Sequence, residues 1–400
     1  MYSPYFAADK YESAPNGCQI TQLQRHGARY PTASAGERIM AAVAKLAAVQ
    51  NYTDSSLDFL KNYTYPLSSD LLVPFGAAQS FSAGQEHFER YKSIVSEDQL
   101  PFVRASGSDR VIHSATNWTA GFSHASNHVY NPSLSVILSE SDFANNTLDD
   151  NMCPDAGNSD EQTGTWLATY APPIAARLNE QAPGANVSIS DVYNLMTLCA
   201  FESVFINRES AFCNLFTQAE FEELEYYGDL DKYYNTGYGQ ELGPVQGVGY
   251  INELIARLTD EPVSDNTQTN HTLDASPETF PLGRAIYADF SHDNQMIAIY
   301  AAMGLFRQVT ALNLTSPDST RNWITSRLVP FSARMITEKL ICTSGNVNQT
   351  EYVRIFVNDA LQPLEFCGGD QHGLCTVDAF VTSQTYARNN GNGDFEKCFA

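Results

Sequence analysis

A chain of 400 residues with 43% apolar side chains can bury one large core or two smaller ones, and its composition is that of an ordinary globular protein rather than a disordered one. Lys and Arg number 23 against 46 Asp and Glu, a formal net charge of −23, so neither nucleic acid nor an anionic membrane surface is an expected partner. The longest apolar stretch, Met296 to Phe306, is broken by Tyr300 and Gly304 and falls short of the ~18 residues of a membrane span.

Residues 1–17, with Pro4, Pro15 and Gly17, read as an extended arm, and Ile20 to Gln24 as a short strand. A helix is predicted from Glu37 to Val49, with Ile39, Met40, Val43 and Leu46 on one face. Ser34-Ala35-Gly36-Glu37 has the spacing of a capping box and marks its start. Phe102 to Ala105 is a second strand, ended by Ser106-Gly107-Ser108. Val111, Ala115, Trp118 and Phe122 then recur at helical spacing. Leu134 to Leu138 is strand-like. Residues 145–280 read as loops and short helical patterns such as Ile251 to Leu258. Ala285 to Phe290 is a strand, followed by Ser291-His292-Asp293 and a helix through Met296, Ile297, Tyr300 and Met303. The last third offers one clear strand, Tyr352 to Val357, then Gly- and Asn-rich loops. Strand followed by helix recurs, which predicts an α/β sheet with a helical insertion.

The eight cysteines are Cys18, Cys153, Cys199, Cys213, Cys342, Cys367, Cys375 and Cys398. None forms a C-x-x-C pair, so zinc-type spacing is missing and no metal is expected. The even count suits four disulfides, among which sequence alone does not choose. Acceptor sequons stand at Asn51, Asn62, Asn117, Asn145, Asn186, Asn270, Asn313 and Asn348. Eight sequons beside paired cysteines predict a secreted glycoprotein. Met1 is not followed by a basic and then apolar signal region, so a leader is expected to have been removed or replaced.

Three strand-to-helix switches carry unusual residues: Gln24-Arg25-His26-Gly27-Ala28-Arg29-Tyr30-Pro31-Thr32, Ser106-Gly107-Ser108-Asp109-Arg110, and Ser291-His292-Asp293-Asn294. In open α/β sheets ligands collect at the carboxyl ends of strands, where helix N-termini present free N–H groups. All three switches would deliver side chains to that edge: Arg25, His26, Arg29, Arg110, His292 and Asp293. Arginine stays charged and donates in a fork that fits two phosphate oxygens. A histidine among arginines has its proton affinity lowered and can stay neutral and nucleophilic in mild acid. A carboxylic acid beside it could protonate a leaving alcohol. Singly, each residue could be a surface ion pair or a satisfied core histidine; together, at equivalent edge positions, they point to phosphoryl chemistry.

Arg25-His26-Gly27-Ala28-Arg29-Tyr30-Pro31 resembles the R-H-G-x-R-x-P signature of the histidine acid phosphatases, and His292-Asp293 their H-D dipeptide. Phe102 to Ile112, Leu242 to Leu258 and Tyr287 to Asn294 are similar to the secreted fungal phytases, notably the basidiomycete type, and the resemblance runs from Cys18 to the C-terminus. It implies that His26 attacks phosphorus, that Arg25, Arg29, Arg110 and His292 hold the phosphoryl oxygens, and that Asp293 protonates the leaving oxygen, with no cofactor and an acid pH optimum. It also implies a phosphoglycerate-mutase-like fold. A large α/β domain with a mixed central sheet (1–35, 98–140 and 280–400) would lie beneath a smaller, mainly α-helical inserted domain (36–97 and 141–279). Cys18–Cys342, Cys153–Cys398, Cys199–Cys213 and Cys367–Cys375 are the disulfides it implies. The implied substrate is phytate, and Lys61 and Lys232 align with lysines that line the cleft of related phytases. The expectation is a monomeric, extracellular phytase. A low-specificity acid phosphatase is the alternative within enzymes, and an inactive anion-binding protein the alternative outside them. His124 and His128 have metal-ligand spacing but no third ligand nearby. The glycines from Gly237 to Gly249 lack dinucleotide spacing.

Overall fold

The computed structural model describes residues 2–13, 17–142, 144–342 and 350–400. Its strands are β1 (Gly17–Arg25), β2 (Phe102–Ser106), β3 (Leu134–Leu138), β4 (Ile286–Ser291), β5 (Arg334–Cys342), β6 (Thr350–Val357), β7 (Ala360–Leu361) and β8 (Cys375–Thr376). They form one mixed sheet in the order β3-β2-β4-β1-β5-β6-β7, with β8 beside β6. β1, β4, β2 and β3 run parallel, whereas β5 turns antiparallel against β1. The helices that matter below are α1 (Ala33–Ala47), α2 (Pro74–Tyr91), α3 (Asp109–Ala125), α4 (Asp160–Gln181), α5 (Ile189–Ile206), α6 (Gln218–Asn235), α7 (Val248–Thr259), α8 (His271–Asp274) and α9 (Asp293–Met303).

Alternation along the parallel strands gives the sheet two different faces. Ile20, Val103, Ala105, Ile286, Ala288 and Phe290 point to one face and pack under α2 and α3 through Phe88, Val111, Trp118 and Phe122. α2 and α3 cross at glycines: a Cβ on Gly84 would meet the Trp118 carbonyl at 2.0 Å, and one on Gly121 the Phe81 carbonyl at 1.9 Å. On the opposite face, Arg104 and Asp289 meet α7. Arg104 binds Asp289 (2.8 Å) and Glu253 (2.6 Å), and Arg257 binds Asp289 (2.6 Å), all fully buried. Phe280 lies against both guanidinium groups, 5.2 and 5.0 Å from its ring centre. Burial opposes the Asp289 charge, but Arg104 and Arg257 outweigh it and hold the carboxyl at about 2.

Several elements depart from expectation. α1 begins at Ala33, not Glu37. Its N-cap is Thr32, whose hydroxyl accepts from Ala35 N at 3.4 Å, while Asp70 accepts from Ala33 N, so the Ser34–Glu37 box already lies inside the helix. The region 145–280 is not loop-rich but carries α4 to α7. α4 continues through Pro172-Pro173, which mimic a break. α5 is apolar around most of its circumference because it packs against α1, α4 and α6, so it shows no stripe. α5 is also the one helix among the described residues long and apolar enough to cross a membrane, and most of it is buried within the protein.

Cys153–Cys398, Cys199–Cys213 and Cys367–Cys375 are bonded. The implied Cys18–Cys342 pair rests on the Cys342 side chain, and it lies outside the described residues, as does the sequon at Asn348.

Candidate active site

Register alone brings four strand ends to one edge. Arg25 pairs with Ser291, Ala105 with Phe290 and Ser106 with Leu138. The segments that follow therefore emerge side by side: His26-Gly27 after β1, His292-Asp293 after β4, Gly107 to Arg110 after β2, and Glu140 after β3. His26 N donates to Ser291 O at 3.0 Å and extends the pairing one residue further. Gly27 then passes against the first turn of α2, where a Cβ would stand 2.2 Å from Gly76 O. That approach admits only glycine, and it fixes the exit path of the chain.

Within this edge, Arg25 is fully buried, donates to Val329 O (2.5 Å) and lies over the Phe331 ring at 4.7 Å. Its Nη2 is 3.2 Å from Asp293 Oδ2. Burial pulls its pKa down to about 10, against the pull of Asp293, so it remains a cation at any acid or neutral pH. The His26 ring is buried, and its Nδ1 donates to Gly27 O at 2.9 Å, which leaves the lone pair on Nε2. Burial first, and then the charges of Arg25, Arg29, His292 and Arg110, hold His26 well below the ordinary histidine value. The result is a neutral imidazole ringed by cations, with its ring 5.8 Å from that of His292.

His292 caps α9 and is gripped at both nitrogens. Arg110 Nη2 approaches its Nδ1 at 3.3 Å and Glu140 Oε1 its Nε2 at 2.8 Å, with Asp149 Oδ1 3.9 Å away. Asp293 opens α9, and its Oδ2 faces Lys232 Nζ at 3.0 Å as well as Arg25. Burial would raise this carboxyl, but Arg25, Lys232 and His26 outweigh it and keep it well below the usual carboxylate range. Lys232 itself, on α6, is buried, and it also bonds Asn294 (2.6 Å) and Asp231 (3.3 Å). Burial opposes its charge, yet Asp293 and Asp231 shift it upward. Arg29 donates to Tyr30 O and lies 5.8 Å from the Phe201 ring centre.

These groups border a cavity of about 270 Å³. Arg29, Arg110, Lys232, His292 and Asp293 line it, with Arg25 and His26 behind them, so seven of the eight sequence-predicted site residues form one cluster. Lys61 is not brought there. It sits half-exposed on a short helical turn, paired with Asp58 at 2.5 Å. Sequence reading missed Tyr2, Glu140, Asp149, Asp150, Asp231 and Asn294, which also line the cavity. The strand-end rule that found Arg110 and His292 also reaches Glu140, two residues beyond β3. Tyr2 gave no signal: the arm brings its ring against Phe201 of α5, tilted and 4.7 Å from centre to centre. Glu140, Asp149 and His292 are the one group of possible metal ligands among the described residues, but Glu140 and His292 already bond each other.

Residues 19–358 match the family described as the histidine phosphatase superfamily (branch 2). Phytase A of Arthroderma benhamiae is 40% identical over 414 residues, covering 98% of this chain and 90% of that protein. Phytase A of Aspergillus oryzae is 40% identical over 428 residues, covering 100% of this chain and 90% of that one. Among solved structures, the phytase from D. castellii superposes with a TM-score of 0.83 at 23% identity, covering 99% of this chain and 86% of that chain. The multiple inositol polyphosphate phosphatase of Bifidobacterium longum, in complex with inositol hexasulfate, gives 0.64 at 15% identity, covering 97% and 98%. These last two carry the fold alone. With its signature residues gathered at one sheet edge and the family match spanning most of its length, the chain belongs to the histidine phosphatase superfamily, branch 2.

Proposed function

We propose that this protein is a secreted, monomeric phytase that hydrolyses phosphate monoesters of phytate through a phosphohistidine. The observation that carries the reading is a neutral imidazole, His26, held by its Nδ1 hydrogen bond among Arg25, Arg29 and Arg110 and close to Asp293. Two relatives 40% identical over nearly the whole chain bear the name Phytase A, which supports phytate as substrate. Three disulfides support an oxidising destination.

In this reading, Arg25, Arg29, Arg110 and His292 hold the phosphoryl oxygens and neutralise charge on them. His26 Nε2 attacks phosphorus, the ester P–O bond breaks as the P–N bond forms, and Asp293 gives its proton to the leaving inositol oxygen. Water then attacks phosphorus, the P–N bond breaks, Asp293 takes back a proton and inorganic phosphate leaves. Asp293 is an anion while Arg25 and Lys232 face it. An entering phosphate competes for both cations and makes protonation of Asp293 easier, which is why the reaction belongs to acid pH.

A low-specificity acid phosphatase is a second reading with its own support: Lys61 stands away from the cavity, and Glu140, Asp149, Asp150 and Asp231 line it. The ratio of kcat/KM for phytate to that for p-nitrophenyl phosphate separates the two. A ratio above one is expected; a preference for the aryl ester by orders of magnitude overturns the phytase reading. H26A should abolish phosphate release from both substrates.

A further inference from the structure

Glu140 takes no part in the roles assigned above, yet it is built into the edge with care. It lies two residues past β3, its side chain is 22% exposed and opens onto the cavity, and Oε1 receives His292 Nε2 at 2.8 Å. The Ser106 hydroxyl donates to the same Oε1 at 2.6 Å. Ser106 Oγ in turn accepts from Asn146 Nδ2 at 3.0 Å, so its one hydrogen is directed at the carboxylate. Asn146 is fully buried and fixed by its own bonds to Ser139 O and Leu148 N. Burial would raise the Glu140 carboxyl, but the His292 bond and charge, the Ser106 hydroxyl and the Ser108 backbone N–H outweigh it and bring it down to about 2.

We infer that Glu140 is a positioning residue for the phosphoryl-binding His292, fixing both the ring's orientation and the nitrogen that carries its proton. This rests on the phosphatase reading. The groups facing His292 are Glu140 from beyond β3, Asp149 from the loop that follows, Arg110 from α3, His26 from beyond β1 and, at 3.5 Å from Nε2, the Ser108 hydroxyl. A guanidinium can only donate, so Arg110 at Nδ1 requires a lone pair there and places the ring proton on Nε2, where Glu140 accepts it. Remove the carboxylate and the other tautomer becomes available, with an N–H aimed at Arg110. An entering phosphate monoanion draws Arg110 to its own oxygens, and its P–OH can donate to the Nδ1 lone pair, while Glu140 holds Nε2 from the other side. The same division of labour, a carboxylate orienting an imidazole that touches the reacting group, operates in catalytic triads and metal sites.

The test compares E140Q, E140D, H292A and E140Q/H292A with the unaltered enzyme on p-nitrophenyl phosphate. E140Q is expected to lower kcat about 10- to 100-fold, the range typical of partners that orient a functional histidine, with KM changed only a few-fold. E140D, which keeps the charge, should recover much of that loss. The double variant should be no slower than H292A alone, because Glu140 acts only through that ring. Activity of E140Q within about twofold of the unaltered enzyme, no rescue by E140D, or losses that multiply in the double variant each overturn the inference. If E140Q does not fold, E140A and E140A/H292A take its place in the same comparison. H26A distinguishes the two levels. A fully active H26A sinks the phosphohistidine reading itself, whereas an inert H26A beside an unimpaired E140Q sinks only the role of Glu140.

Discussion

Buried cations in this protein differ by the partners they keep. Arg104 and Arg257 are matched against Glu253 and Asp289, four charges closed on one another far from solvent. Arg25 and Lys232 both reach Asp293 Oδ2, and Lys232 also meets Asp231 at 3.3 Å. With Arg29 and Arg110 beside them, four cations stand at the sheet edge, which an anion can use. Acids in the same cavity work against it. Burial above all, with Asp150 and Glu140 adding, raises the Asp149 carboxyl to about 6 despite the opposing pull of His292. It is therefore neutral in mild acid and becomes a second negative wall as pH rises through that value. For a polyanionic substrate, kcat/KM should fall as Asp149 ionises, over roughly one pH unit either side of its midpoint. D149N should move the fall toward higher pH and leave the acid limb in place. A superimposable profile for D149N, measured on phytate, contradicts this assignment. At this scale sequence and structure also part company over Lys61 and Lys232. Both matched a family pattern, but only Lys232 lies on an element that packs over the edge, and no property of the isolated residues separates them.

Elements were legible where their boundaries were chemical. The strands before Gly107 and His292 are short and end in Ser106 and Ser291, and the strand before His26 runs into the charged Gln24-Arg25-His26-Gly27 segment, so the edge could be read from the chain without knowing the sheet order. β5 could not. Over Arg334 to Leu340 polar and apolar residues mix, and the charged ones are buried because distant partners satisfy them. Glu338 accepts from Arg354, Tyr11 and Tyr91, and Lys339 donates to Leu258 O. α4 and α5 escaped for opposite reasons, an internal Pro-Pro in one and an almost unbroken apolar surface in the other. The α2–α3 contact was equally silent, since a glycine inside a helix usually marks weakness rather than a crossing. Here the backbones nearly touch, and a methyl group on Gly121 would stand 1.9 Å from the Phe81 carbonyl. G121A should therefore cost at least the upper end of the ~1–3 kcal/mol expected for overpacking, read from denaturant unfolding. A loss below about 0.5 kcal/mol, the level of a neutral surface change, would mean that the helices can part freely.

Over the whole molecule, a net charge of −23 surrounds a small cationic cage. The global field repels a polyanion while the cage attracts one phosphate at short range, and lowering the pH weakens the repulsion by protonating carboxylates on the enzyme and phosphates on the substrate. Acid operation is thus a property of the overall charge as well as of Asp293. Fold and cage depend on each other: the parallel register of β1, β4 and β2 sets the edge, and the buried Arg104–Asp289–Arg257–Glu253 cluster clamps that register from below. The central claim is that the cage exists to transfer a phosphoryl group onto His26 Nε2. A single turnover with phytate, quenched under alkaline denaturing conditions that preserve phosphohistidine and followed by peptide mapping, tests it directly. The account predicts one phosphoryl group, on His26, appearing with the first product and decaying as inorganic phosphate is released. Product formed in full with His26 never labelled, or the label found on another side chain, contradicts it.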